Sequence, residues 1–294
     1  MATFYRRWPK FDYLMPRKID EVLDALQHSR NGSHKVYAGG TDVIPKMKRR
    51  LIKAPEVLID LKGVSDLDYI EYEGFDGLKI GPLTTVSDVA DSKIVKDHFP
   101  LLAQAANSIA SRQIRNRATI AGNICNAVPS ADSAPALLCL ESRLICSSLK
   151  GSRTIEMGRF FTGPNQTVLK PDEILKEIQV PNMPERSKGV YLKLSTRSRM
   201  DLALVGVAAI LSLESGSIRD ARIGLGAVAP TPMRAKKAEE SLVGNRVSEE
   251  TIEKAAKLAA EESKPISDHR ASAEYRKMMV EVLVKRALHQ VLSD

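Results

Sequence analysis

Two rhythms of apolar residues alternate along the chain, one helical and one of strands, and together they predict a mixed α and β protein. Over residues 18–28, Ile19, Val22, Leu23 and Leu26 recur at helical spacing, the stripe of a helix lying on a core. Asn31-Gly32-Ser33 closes this helix, and Lys35-Val36-Tyr37-Ala38 reads as a strand. Residues 43–51 predict a short helix, with Thr41 or Asp42 available as its cap. Short β-type runs follow at 56–60, 69–72 and 78–80. Residues 85–91 and the alanine-rich stretch 101–112 suit helices, as does the apolar run Ala136-Leu137-Leu138-Cys139-Leu140.

The second half changes character after a punctuated stretch. Lys170-Pro171-Asp172-Glu173 is turn-like, residues 174–180 alternate as an edge strand would, and Pro181-Asn182-Met183-Pro184 forms a link. Beyond it, 189–194 and 202–213 predict strands of another sheet, 217–228 a further strand pair, and 247–263 and 270–292 helices. A chain of 294 residues exceeds one small core. The expected division is 1–176, with subdomains of about 1–55 and 56–176, followed by 177–294.

Two glycine-bearing segments stand out from this background: Ala38-Gly39-Gly40-Thr41-Asp42 and Thr119-Ile120-Ala121-Gly122-Asn123. Glycine tolerates the backbone conformations by which several N–H groups converge on one anion. Two such loops suggest a diphosphate gripped from two sides, hence a nucleotide-type cofactor. Downstream of the second, Ser130, Asp132 and Ser133 stand where a helix cap is wanted, with Pro135 in the first turn. Asp132 is therefore either a plain N-cap or a carboxylate holding a ribityl or ribose hydroxyl.

Composition narrows the partners. The formal charge is +8, with cations crowded at Arg6, Arg7, Lys10, Arg17 and Lys18 and again at Lys46, Lys48, Arg49, Arg50 and Lys53. One Trp, seven Tyr and six Phe, not interleaved with these cations, do not make a stacking surface for nucleic acid. A solvated basic face, or one docking an acidic partner, is the reading adopted. The first ten residues carry the twin Arg6-Arg7 without an apolar stretch, so no export signal is expected, and no run is apolar enough to span a membrane. Cys125, Cys139 and Cys146 form no metal-binding pattern; they predict reduced thiols, a cytoplasmic protein and no metal in this chain.

Common catalytic signatures are missing. Gly224-Leu225-Gly226-Ala227 lacks the third glycine of a dinucleotide fingerprint, and Pro230 and Pro232 follow instead of a helix. No Walker lysine loop or nucleophile elbow occurs, and His28, His34, His98, His269 and His289 are scattered without partners nearby in sequence. The chain thus reads as a cofactor carrier without its own catalytic residues.

The sequence resembles the FAD-binding medium subunit of the molybdenum hydroxylases, the family of xanthine dehydrogenase and carbon monoxide dehydrogenase, over almost its whole length. The family's A-G-G-T/H-S/D loop is matched by Ala38 to Asp42, and its R-N-x-x-T-I-G-G-N by Arg115-Asn116-Arg117-Ala118-Thr119-Ile120-Ala121-Gly122-Asn123. S-x-D-x-x-P is matched by Ser130, Asp132 and Pro135; D-E-I-L by Asp172 to Leu175; and K-x-x-x-R-x-x-x-D by Lys193, Arg197 and Asp201. Ala121 departs from the pattern, standing where the family has a glycine.

This resemblance implies an α+β architecture: a PCMH-type FAD-binding fold followed by a sheet-plus-helices domain of the CO dehydrogenase flavoprotein type. It implies noncovalent FAD in the cleft between domains, with Gly39, Gly40 and Gly122 at the diphosphate and Thr41, Thr119 and Asn123 adding side-chain bonds. Asp132 would take cofactor hydroxyls, Ile174 and Leu175 would lie beside the isoalloxazine, and Lys193 would approach its N1/O2 edge and raise its potential. Tyr191 either covers the ring or is a half-buried strand residue, and Arg197 with Asp201 is a structural ion pair. The implied partners are a molybdenum-cofactor large subunit and a small subunit with two 2Fe-2S clusters, in a heterotrimer or its dimer. Electrons would pass to an acceptor such as NAD, and the substrate preferred is a purine or another N-heterocycle. A stand-alone FAD oxidase, or the flavin subunit of a CO, aldehyde or aromatic-thioester dehydrogenase, is the alternative.

Overall fold

The computed structural model describes residues 8–29, 33–197 and 200–293. Arg6, Arg7, Asn31 and Gly32, each used in the sequence reading, lie outside the described residues.

Three larger sheets organise the chain. The first is parallel, with β1 (Asp12–Leu14), β3 (Val57–Asp60) and β2 (His34–Tyr37) in that order. Parallel neighbours need crossover connections, and α1 (Ile19–Gln27) and α2 (Val43–Lys48) lie in them. The apolar stripe of α1 is buried through Val22, Leu23 and Leu26, in one cluster with Ile59 and Leu61. Helix α2 stops short of residue 51 because Arg50 adopts a left-handed backbone, φ 58°. Asp42 occupies its N-cap position without making a capping hydrogen bond, so the capping role expected there is not taken up.

The second sheet is antiparallel: β4 (Ile70–Glu73), β5 (Gly77–Ile80), β10 (Ile174–Val180), β6 (Arg143–Ser148) and β7 (Gly151–Glu156). Strand β10 is its centre, not an edge. Its polar Glu177 deceives the sequence reading, because that carboxylate is satisfied by the Tyr69 hydroxyl at 2.6 Å and Gln179 at 2.7 Å. Six helices accompany this sheet: α3 (Val86–Asp91), α4 (Lys93–His98), α5 (Pro100–Ser108), α6 (Arg112–Arg115), α7 (Ile120–Cys125) and α8 (Ser133–Cys139). The single helix expected over 101–112 is broken into α5 and α6 where Ala110 turns left-handed, φ 43°. A small hairpin, β8 (Phe161–Gly163) with β9 (Gln166–Thr167), lies between β7 and β10 in sequence.

The third sheet runs β11 (Ser187–Leu194), β12 (Val205–Glu214), β13 (Ser217–Gly226) and β14 (Met233–Arg234). Residues 217–226 form one ten-residue strand, correcting the expected pair. Helices α9 (Lys236–Leu242), α10 (Glu249–Glu262) and α11 (Ala273–Ser293) pack on it, the first unforeseen from sequence. Helix α8 crosses to this sheet at Gly224 and Gly226. A Cβ on Gly224 would stand 2.4 Å from the Pro135 carbonyl oxygen, and one on Gly226 2.9 Å from Pro135 Cγ. The incomplete glycine fingerprint is therefore a packing seam. No helix of the described residues is long and apolar enough to cross a membrane.

Candidate functional site

The two glycine loops meet. Strand β2 delivers the chain into Ala38–Asp42, and a Cβ on Gly39 would stand 1.9 Å from the carbonyl oxygen of Arg117, just ahead of the second loop. Only a residue without a side chain permits that approach. Gly40 takes a left-handed backbone, φ 75°. Among the described residues, the N–H groups of Gly39, Gly40, Thr41 and Asp42 donate to no protein acceptor. Such a row of unpaired donors at a half-buried turn is an anion cradle.

The second loop is built differently. Val86 N–H donates to the Ala118 carbonyl at 2.7 Å, and Thr119 forms a bridge with Thr85, which ties the loop to the start of α3. Thr119 Oγ1 accepts the Gly122 N–H at 2.9 Å, and the Thr119 carbonyl accepts Asn123 N–H at 3.0 Å. Its glycine amide is thus spent on its own helix, and its offering to a ligand is side-chain chemistry. Asn123 Oδ1 accepts the Ser133 hydroxyl at 2.6 Å, which leaves the Asn123 amide hydrogens to donate elsewhere.

Between the loops lies a cleft of about 490 Å³. Ala38, Gly39, Gly40, Thr41, Asp42, Thr119, Gly122, Asn123 and Asp132, all singled out from sequence, line it. A second cavity of about 450 Å³ shares Ala38, Gly39 and Thr119 with it.

Asp132 stands at the N-cap of α8 without capping it. Instead its Oδ1 accepts the Tyr191 hydroxyl at 2.8 Å and its Oδ2 accepts Lys193 Nζ at 2.7 Å. Burial pushes the carboxyl above the usual range, against the pull of Lys193 and Tyr191. Burial, with Asp132 beside it, likewise pushes the Tyr191 phenol up. Lys193 Nζ also donates to the Ser108 carbonyl at 3.1 Å, the end of α5. Tyr191 and Lys193, two apart on β11, share one face; the Tyr191 hydroxyl fits because Gly206, the cross-strand partner of Lys193, has no Cβ, which would stand 2.8 Å from it. Neither residue lines the cleft; both hydrogen-bond Asp132, which does.

The remaining sequence-derived residues are placed elsewhere. Ala121, Ile174 and Leu175 are each 4% exposed and do not line the cleft. Arg197 and Asp201 pair at 3.8 Å as anticipated, and Asp201 also accepts the Arg197 and Leu202 backbone N–H groups. Sequence reasoning missed Lys46, Asn126, Asn165, Ile109, Met200 and Leu202, which also line the cleft. Ile109 adjoins the helix break at Ala110; the side chains of Asn126 and Asn165 meet Lys46 at 2.5 and 3.3 Å across the cleft, a convergence no local pattern announces. All three cysteines are free thiols, and burial pushes Cys139 up to about 12 and Cys146 to about 11.

The donor set fits FAD. Unpaired amides suit a diphosphate, Thr119, Asn123 and Asp132 suit hydroxyl groups, and Val36, Ile52, Ile109 and Val128 give the cleft apolar walls. The comparisons agree. The family described as the FAD-binding domain in molybdopterin dehydrogenase matches residues 9–183, and the CO dehydrogenase flavoprotein C-terminal domain matches 190–291. The chain is 33% identical to the glyceraldehyde dehydrogenase medium chain of Sulfolobus acidocaldarius, over 96% of this chain and 99% of that one. It is 32% identical to the xanthine dehydrogenase FAD-binding subunit of Escherichia coli O157:H7, over 96% and 97% of the two chains. Among solved structures, carbon monoxide dehydrogenase from Hydrogenophaga pseudoflava superposes with a TM-score of 0.93 at 34% identity, covering 98% of this chain and 99% of that chain. The fold and cleft define an FAD-binding flavoprotein of the oxidoreductase class. The chain belongs to the molybdenum hydroxylase family, as a medium, FAD-binding subunit.

Proposed function

We propose that this chain is the electron-relay subunit of a three-subunit molybdenum hydroxylase. A small partner carrying two 2Fe-2S clusters would deliver electrons, a large partner would hold the molybdenum cofactor and oxidise the substrate, and an acceptor such as NAD would leave reduced. The assembly proposed is a heterotrimer or its dimer, in the cytoplasm. Bound FAD supplies the exchange between one-electron donors and a two-electron acceptor. The chain's own residues bind and orient it. Gly39, Gly40, Thr41 and Asp42 would offer N–H groups to the diphosphate; Thr119, Asn123 and Asp132 would hold hydroxyls; Ala38, Ala121 and Gly122 would shape the loops. Tyr191 and Lys193 would set the position and charge of Asp132, and Ile174 and Leu175 would back the isoalloxazine side from the core.

The observation carrying this reading is the row of unpaired amides at the junction of the two loops. The division expected at 176/177 is proposed as the seam between the FAD-binding part and the C-terminal part, shifted to the proline-punctuated link at residues 181–184 because β10 runs unbroken from Ile174 to Val180. A purine or another N-heterocycle is proposed as the substrate class, in keeping with the xanthine dehydrogenase relative.

A visible spectrum with cofactor and metal analysis of the protein purified from its native host tests this. One FAD per chain, copurifying with molybdenum and about four irons on two companion polypeptides, is the expected result. FAD on a lone chain that turns over substrate unaided would replace the relay by an independent oxidase. A complex that oxidises an aldehyde or carbon monoxide but no N-heterocycle would replace the substrate class alone.

A further inference from the structure

The first glycine loop hangs on a polar network that no glycine motif includes. Strand β3 ends at Asp60, which is in register with Tyr37, the last residue of β2. Asp60 is 2% exposed, and a buried carboxylate needs partners. It has four. Oδ2 accepts the Tyr13 hydroxyl at 2.6 Å and the Tyr37 hydroxyl at 2.7 Å; Oδ1 accepts the Lys62 backbone N–H at 2.9 Å and Lys62 Nζ at 2.7 Å. Burial alone would push the carboxyl up, but these partners outweigh it and hold it below the usual range.

The Lys62 ammonium then reaches the loop itself. It donates to the Ala38 carbonyl at 3.1 Å and lies 3.9 Å from the centroid of the Tyr37 ring. Lys62 lines the second cavity together with Gly39, Asn116, Arg117 and Thr119, and does not line the main cleft. The Lys62 ammonium therefore lies at the junction at which Gly39 closes on the Arg117 carbonyl, on the second cavity and not on the main cleft.

The Ala38 carbonyl and the Gly39 N–H belong to one rigid trans peptide plane and point in opposite directions. Holding the carbonyl on Lys62 thus aims the Gly39 N–H away from Lys62. An ammonium on the carbonyl also polarises the peptide, which strengthens its N–H as a donor. Gly39 could otherwise flip this plane at little cost, because glycine lacks the steric preference that would hold it.

We propose that Lys62, itself held by Asp60, is a positioning residue for the FAD diphosphate, fixing the peptide plane that opens the first glycine loop. This rests on assigning that loop to the diphosphate. Lys62 acts through the backbone and touches no reacting atom. Its charge is already matched by Asp60, so it aims the donors without adding a net cation to the cradle.

The test compares FAD with riboflavin, which carries the same ring and ribityl chain but no phosphate. The full chain is stripped of flavin, and both dissociation constants are measured by fluorescence titration. In the unsubstituted chain FAD should bind far more tightly than riboflavin. Lys62→Met should reduce that preference about ten-fold, a difference of about 1.4 kcal/mol, through FAD alone. Lys62→Arg, whose guanidinium can bridge Asp60 and the Ala38 carbonyl, should restore most of it. The flavin-free Lys62→Met chain should lose some thermal stability, because Asp60 loses the ammonium that matches its buried charge, but the ratio of FAD to riboflavin affinity is read within each folded chain and separates that loss from the positioning role. An unchanged FAD preference in Lys62→Met would overturn the positioning role. So would a parallel loss of FAD and riboflavin, which marks general destabilisation. If the unsubstituted chain shows no preference for FAD over riboflavin, the diphosphate assignment itself fails.

Discussion

Asp132 and Lys193 form an ion pair 2.7 Å long across the boundary between two sheets, with side chains only 8% and 12% exposed. One partner starts α8 on the cleft wall, and the other comes from β11 of the C-terminal sheet. The pair is a buried rivet between the cofactor cleft and the part of the chain that follows the proline link. Removing one member of such a pair leaves an uncompensated buried charge, which costs about 3 kcal/mol. Lys193→Met should lower stability by that order and weaken FAD binding, because burial already favours the protonated Asp132 and the variant removes the cation opposing that. Urea unfolding and a flavin titration check this together. Unaltered stability would show that the pair contributes nothing net.

Gly39 and Gly40 should respond differently to the same substitution. At Gly39 the obstacle is backbone, the Arg117 carbonyl oxygen at 1.9 Å from the new Cβ, and backbone of the second loop cannot turn aside as a side chain can. At Gly40 the nearest atoms belong to the Ile44 and Tyr37 side chains at 3.2 Å, and the cost is the left-handed backbone at φ 75°, about 1 kcal/mol. Gly39→Ala should therefore abolish measurable flavin retention, whereas Gly40→Ala should weaken it about ten-fold or less. A reversed order in flavin content of the purified variants would contradict the loop-on-loop contact.

The contrast also explains how much was legible in the sequence. Gly39, Gly40, Gly122 and Asp132 announce themselves because a tight turn and a helix start impose residue types over a few adjacent positions. Tyr13, Asp60 and Lys62 follow no such local rule: they meet because parallel strands bring distant segments into register. Asn126 and Asn165 also follow no local rule, since the end of α7 and the turn of the β8–β9 hairpin bring them to Lys46 only through tertiary packing. The C-terminal sheet was readable as strands and helices, yet β10 looked like an edge because a tertiary partner, Tyr69, satisfies Glu177. The break at Ala110 was hidden because alanine is the strongest helix former, and only the surrounding fold imposes its left-handed turn. The Gly224–Gly226 pair was visible as glycines, but its reason, the Pro135 turn packed against it, lies 89 residues upstream of Gly224.

Lys46 spans the cleft. It leaves α2, beside the first loop, and donates to Asn126 Oδ1 at 2.5 Å, at the end of α7, and to Asn165 Oδ1 at 3.3 Å, in the turn of the β8–β9 hairpin. Asn165 N–H in turn donates to the Ala127 carbonyl at 2.8 Å, so both anchors belong to one rigid corner. A strap of this kind resists ligand passage in both directions. Lys46→Met loses hydrogen bonds of about 1 kcal/mol, which would speed FAD association and release together by about five-fold and change affinity little. Stopped-flow flavin fluorescence separates the two rates. Faster release with unchanged association would instead identify Lys46 as a direct contact of the cofactor.

Asp268 supplies a pH-dependent anchor for the segment that carries Leu202 onto the cleft wall. Its Oδ2 accepts from Arg270 Nη2 at 2.6 Å and its Oδ1 from Arg276 Nη2 at 2.9 Å. Arg276, only 2% exposed, donates through Nη1 to the Leu204 carbonyl at 2.9 Å, two residues beyond Leu202 on the cleft wall. Arg270 first, and Arg276 with it, hold the Asp268 carboxyl far below its ordinary range, against the upward push of burial. A depressed folded value means that the unfolded chain binds the proton more readily, so this stabilisation is complete above the unfolded value of about 3.9 and is lost as pH falls below it. Asp268→Asn should therefore be clearly less stable than the parent at pH 7, with the gap closing as pH is lowered towards and below the unfolded value. Urea midpoints of both chains, taken at neutral pH and in steps into the acid range, measure that gap. A gap that stays constant would assign Asp268 a role of shape alone and remove the charge from the account.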